Sequence, residues 1–117
     1  MFNFEKLEAW QRAVDFANLV YATTRGFPRE ELFGLAMQMR RAAVSVSSNL
    51  AEGSSRSSRV DFATFTEIAT GSLFEVILQS VIAKRQGLLS ETDYLKAYQA
   101  AKKLGRMLSG LRGSLLS

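Results

Sequence analysis

Apolar residues in this chain recur at spacings of three and four, in four segments separated by glycine, proline and serine. That period winds a chain into helices with one apolar side each, and no strand-like alternation competes with it. Leu7, Trp10, Val14, Ala17, Tyr21 and Thr24 mark a first helix over about 4–24, with Trp10 and Tyr21 read as core packing. Gly26 stops it and Phe27-Pro28 turns the chain. Pro28 opens a second helix, with Leu32, Ala36, Met39, Ala43, Val46 and Leu50 as its main stripe. Gly53 to Ser58 is the clearest break, and Ser57 or Ser58 caps a third helix over about 59–86. Its packed side carries Phe62, Phe65, Ala69, Ser72, Val76, Ser80 and Ala83, widened by Ile68, Leu73, Ile77, Val81 and Ile82. Gly87 is its C′ residue, and Ser90 to Asp93 resembles a capping box for a fourth helix. That helix is apolar along Tyr94, Ala97, Tyr98, Ala101, Leu104, Leu108, Leu111 and Leu115, and its glycine-rich end is expected to fray. Short turns between four helices predict an all-α fold, an antiparallel up-down four-helix bundle, as one domain over residues 1–117.

The second helix is more apolar than a bundle needs. On the second, Met37, Val44 and Ala51 fall well away from the main stripe, while Gln38, Arg41, Ser45, Asn49 and Glu52 form a polar stripe of their own. A helix of this kind is expected to face the bundle on one side and another subunit on the other. The polar stripe then serves packing and assembly, with Arg41 pairing with Glu52 or bonding across the stripe, and Arg40 freer for a partner. On the third, Gly71-Ser72 in mid-helix predicts a close helix–helix approach, since glycine there costs about 1 kcal/mol relative to alanine.

Catalytic chemistry has little to work with. The chain has no cysteine and no histidine, so it lacks thiol nucleophiles, thiolate metal sites and the commonest general base and metal ligand. Ser45, Ser47 and Ser48 have no histidine to activate them, and no Walker or dinucleotide-type glycine loop is present. Di-iron bundles need a Glu-x-x-His pattern that this chain cannot complete. Glu52, Glu67 and Glu75 could gather around a divalent ion, but ion pairing or simple helix surface explains them better. The expectation is a protein without enzymatic activity and without a cofactor.

Charge points elsewhere. The net charge is +4 and the pI near 9.8, and the excess is concentrated in two places. Arg40, Arg41, Arg56 and Arg59 face only Glu52 between them; Lys96, Lys102, Lys103, Arg106 and Arg112 have no acid among them. Basic patches on an otherwise acidic body attract polyanions, and they also simply keep proteins dissolved; both readings stand at this point. If nucleic acid is the partner, Arg40, Arg56 and Arg59 are the first candidates, with Lys102, Lys103 and Arg106 beside them. No aromatic residue near Arg56 in sequence could stack on bases, so binding would not be sequence-specific. The acidic N-terminal stretch lacks the pattern of a signal peptide, and no uninterrupted apolar run approaches the roughly 20 residues that span a bilayer. The expected location is cytoplasmic, with no membrane partner.

Leu7-Glu8-Ala9-Trp10-Gln11-Arg12-Ala13, Val20-Tyr21, Phe27-Pro28 and Glu31-Leu32-Phe33-Gly34-Leu35 also form a recognisable pattern. It continues through Gln38-Met39-Arg40-Arg41-Ala42-Ala43-Val44-Ser45-Val46, Ser48-Asn49-Leu50-Ala51-Glu52-Gly53, Arg56, Ser58, Phe62, Phe65, Ile68-Ala69-Thr70-Gly71-Ser72-Leu73 and Glu75. Together these resemble the four-helix bundle proteins encoded within intervening sequences of bacterial 23S rRNA. Leu50 and Phe33 stand where isoleucine and tyrosine are common, which keeps the apolar character. The resemblance implies a homo-oligomer, typically a pentameric barrel with a basic surface, and offers no catalytic residues. A related group is similar to accessory proteins of diversity-generating retroelements, which bind nucleic acid and a reverse transcriptase. RNA, DNA or another protein are thus the expected partners besides the chain itself.

Overall fold

The computed structural model describes all 117 residues. A 3₁₀ turn over Asn3–Lys6 leads into α1 (Glu8–Thr24), a single-turn helix α2 (Arg29–Leu32), and the long helices α3 (Leu35–Ser54), α4 (Arg59–Arg85) and α5 (Glu91–Leu116). There are no strands. The long helices α1, α3, α4 and α5 stand in chain order around a square: each packs on the next and α5 returns to α1, while the diagonal pairs stay more than 8 Å apart at every Cα. This is the up-down-up-down bundle that short connections force on four amphipathic helices.

Local chemistry sets most of the helix ends. Ser58 Oγ accepts the Asp61 N–H at 3.2 Å and Ser90 Oγ accepts the Asp93 N–H at 3.1 Å, so α4 and α5 start where the serines cap them. Gly87, at φ +76°, closes α4: its N–H reaches the Lys84 carbonyl and the Leu88 N–H the Ala83 carbonyl, the paired bonds of a Schellman turn. Gly87→Ala is expected to cost about 1 kcal/mol, because only glycine holds that φ without strain; chemical denaturation of the variant checks it. One end departs from the expectation of a continuous helix from Pro28. The chain breaks at Phe33-Gly34, and the Glu31 carboxylate turns to accept the Leu35 N–H at the new start. The C-terminal helix also stays wound to Leu116 instead of fraying earlier. Arg59 caps it, donating to the carbonyls of Ser114 at 2.5 Å and Leu115 at 3.2 Å.

The core runs the length of the square: Ala13, Phe16 and Val20 from α1, Met39, Ala43, Val46 and Leu50 from α3, Leu73 and Val76 from α4, Leu104 and Leu108 from α5. On α1 the buried line is Ala9, Ala13, Phe16, Ala17, Val20 and Thr24, rotated from the stripe expected from Trp10, Val14 and Tyr21. Trp10 flanks the core under an edge-on Phe4, and Tyr21 is 40% exposed. Both lines have helical spacing; the alanines win because small residues let α1 sit close to its neighbours. Buried hydroxyls are satisfied by their own helices: Thr24 donates to the Val20 carbonyl at 2.7 Å, Thr66 to Phe62 at 2.9 Å and Ser80 to Val76 at 2.8 Å.

The tightest approach is between α3 and α4, the pair with the most extensive contact. Gly53 lies inside the last turn of α3, where a Cβ would fall 2.7 Å from Phe65 Cβ and 2.8 Å from Phe62 Cδ1. Gly71 makes no such approach. It lies on the outer side of α4 with no atom within 4 Å of a Cβ position, so the close contact expected at Gly71-Ser72 occurs at Ser72 alone. One buried side-chain polar atom in the molecule has no partner, Oε1 of Gln79 on α4. Leaving such an oxygen dry costs about 1–3 kcal/mol. Gln79→Leu is therefore expected to raise stability by about 1 kcal/mol, read as a higher denaturation midpoint; a lower midpoint would mean the amide is satisfied by water.

Candidate nucleic-acid interface

The arginines that stand out in the sequence are largely engaged within the chain. Arg40 lies half-buried between α3 and α1, donating from Nε to Thr24 Oγ1 at 2.9 Å with its guanidinium 4.7 Å from the Tyr21 ring centre. Arg56 pairs with Glu52 at 2.9 Å and stacks 4.8 Å over Phe65. Arg59 caps α5. The structure thus reverses the expected roles of the arginine pair. Arg41, expected to pair with Glu52 or to bond across the polar stripe, is exposed and does neither, whereas Arg40 is tied down. The reason is rotational: Arg40 falls on the α1 side of α3, and Glu52 has Arg56 one turn away at i+4.

The polar stripe divides in the same way. Ser45 Oγ meets Ser72 Oγ at 2.9 Å, and Asn49 Nδ2 donates to the Ser45 carbonyl at 2.8 Å and to its hydroxyl at 3.0 Å. That network ties α3 to α4. Gln38, Arg41 and Glu52 lie outside it on the surface. The glutamates do not converge: Glu52 and Glu67 pair with Arg56 and Arg112, Glu75 stands alone, and no group of acids is placed to hold a metal ion.

The cations of α5 are arranged differently. Lys96, Lys102, Lys103 and Arg106 are all exposed and none forms an ion pair, although Arg112 farther along pairs with Glu67. At about 100° per residue, Arg106 lies opposite the buried line of Ala97, Ala101, Leu104 and Leu108, with Lys102 and Lys103 to either side. The four cover about 15 Å of helix axis. Lys96, Lys103 and Arg106 also edge an open groove of about 1130 Å³ between α5 and α1, floored by Phe16, Leu19, Leu95 and Met107. The opposite rim carries Arg12 between Glu8 and Asp15, 3.9 and 3.8 Å away, and so keeps one net negative charge. The outcome is a one-sided cationic ridge suited to phosphates, with Phe16 too buried to stack on a base. Sequence reasoning ranked these residues second because the arginine pair and serine loop are more conspicuous. The absence of any acid between Lys96 and Arg112 was the available signal.

Fold and surface together define a helical bundle with a basic ridge. The chain belongs to the 23S rRNA-intervening sequence protein family, whose model matches residues 5–110. It is similar in structure to a protein of unknown function from the S23 ribosomal protein family of Bacteroides thetaiotaomicron, with a TM-score of 0.79 at 18% identity, over 89% of this chain and 97% of that one. At that identity the likeness concerns the fold. No curated protein matches the chain.

Proposed function

We propose that this protein is a non-enzymatic, cytoplasmic homo-oligomer that binds RNA or DNA without sequence preference through the α5 ridge. The observation that carries the reading is the row of four partnerless cations at Lys96, Lys102, Lys103 and Arg106. Arg41 is likewise free on α3, while Arg40, Arg56 and Arg59 serve chiefly to hold helices together. Family membership supports a setting close to RNA. Assembly multiplies the ridge, so modest contacts per chain add up. Binding of RNA and duplex DNA to the wild type and to Lys102→Ala/Lys103→Ala/Arg106→Ala, measured across salt concentrations with the oligomer size recorded alongside, tests it. Equal affinity and equal salt slope for both proteins would remove the ridge from any such site. Absence of binding near physiological salt, with another protein co-purifying, would favour a protein-interaction scaffold.

A further inference from the structure

We infer that the exposed apolar stripe of α4 on one copy docks head-to-tail onto the apolar patch around Phe33 and Val44 on the next copy. The inference rests on the oligomeric reading above and names its contact surface. α4 is apolar nearly all round, enough by length and composition alone to pass for a membrane span, yet only a third of that apolar window is buried. Its inner side, with Ala69, Leu73, Val76 and Ala83, is covered by the bundle. Its outer side is bare: Val60 is 63% exposed, Phe74 63%, Leu78 60% and Ile82 44%. Helical geometry places these four and Gly71 within an arc of about 80°, interrupted by Thr64, Glu67 and, at its end, Arg85. With Ile68 on the flank they present on the order of 500 Å² of apolar surface, at the upper end of what a monomer leaves in water. A stable interface buries about 800 Å² per partner, so the stripe and its polar border account for one side of such a contact.

The receiving side lies at the α1–α3 edge. Phe33, on the break after α2, is 81% exposed, and Val44 is 40% exposed. With Tyr21, Leu32 and Met37 they line a groove of about 780 Å³ that also contains Arg41. Charge selects the pairing. Glu75 borders the stripe without an ionic partner, and Arg41 borders the groove without one. A two-fold contact of the stripe with itself across Gly71, its lowest point, would set Glu75 against Glu67 of the other copy, whose Arg112 is already engaged with that Glu67, and would leave Glu75 without a base. Stripe on groove instead sets an acid against a base. Because the two surfaces lie on different sides of the bundle, each copy keeps one of each, and contacts propagate until a ring closes. The α5 ridge stays outside both surfaces.

Light scattering and native mass spectrometry on the full chain test this. Phe74→Glu/Leu78→Glu spoils only the stripe, and Phe33→Glu/Val44→Glu spoils only the groove; all four side chains are exposed, and helical circular dichroism confirms that each variant folds. Each variant alone is expected to be monomeric, and an equimolar mixture to form a dimer and nothing larger, since one good stripe then meets one good groove. In a second arm, Glu75→Arg and Arg41→Glu each weaken assembly about tenfold or more, and together in one chain restore it. Variants that keep the wild-type size, or a mixture that stays monomeric, overturn the docking mode while leaving the oligomer standing. A monomeric wild type overturns both.

Discussion

Gly53→Ala is expected to destabilise the bundle by about 2 kcal/mol, lowering the midpoint of thermal unfolding by roughly 10 °C. The added methyl would lie 2.7 Å from Phe65 Cβ, an atom fixed to the α4 backbone that no rotamer change can move. Phe62 Cδ1, at 2.8 Å, belongs to a partly buried ring that can swing away, but that leaves the Phe65 contact in place. Relief therefore requires α3 and α4 to separate, and they form the most extensive contact in the molecule. Overpacking of this kind costs about 1–3 kcal/mol. The opposing gain from alanine's helix propensity, at most about 1 kcal/mol, is reduced in the last turn. Thermal and denaturant unfolding of the variant measure the net effect. An unchanged midpoint would show that α3 and α4 separate at no cost and that Gly53 does not set their distance.

Removing Lys102, Lys103 and Arg106 together should weaken nucleic-acid binding most strongly at low salt. If each chain places three of these cations on phosphates, the plot of log affinity against log salt becomes shallower by roughly two to three units for duplex DNA, and somewhat less for single strands. The effect should be alike for unrelated sequences, because phosphates carry no base information. The informative control is Arg40→Ala/Arg56→Ala/Arg59→Ala. Those side chains hold α1 to α3, pair with Glu52 and cap α5, so their loss should lower stability while largely preserving the salt slope. The reverse pattern, a slope altered only by the second triple, would place the contact at the α3–α4 connection instead.

Much of the fold was legible because helix ends are local events. Ser58, Ser90 and Gly87 act on backbone groups within five residues of themselves, so their roles can be read along the chain. The buried line of α5 was legible for a similar reason: its lysines and arginine leave only one side free to be apolar. α1 was less so, since Trp10–Val14–Tyr21 and Ala13–Phe16–Val20 both repeat at helical spacing, and packing against α3 decides between them. Gly53 and Gly71 show the same division. Either glycine could mark a close approach, but only the register of α3 on α4, fixed at Ser45 and Ser72, shows that Gly53 makes one inside the chain.

The candidate site divides on the distance over which its partners act. That cations are gathered on α5 with no acid between Lys96 and Arg112 is a property of the sequence, because acids three or four residues from Lys102, Lys103 or Arg106 would have been visible. Whether a given arginine is free is a property of the tertiary structure. Arg40 meets Thr24 across 16 residues and Arg59 meets Ser114 across 55. By itself the sequence determined four long helices, the serine caps of α4 and α5, the glycine end of α4 and the excess of positive charge, all set by neighbours within a turn or two. Only the folded bundle decided which side of each helix is buried and which cations remain for a partner, because both depend on groups brought together from distant parts of the chain.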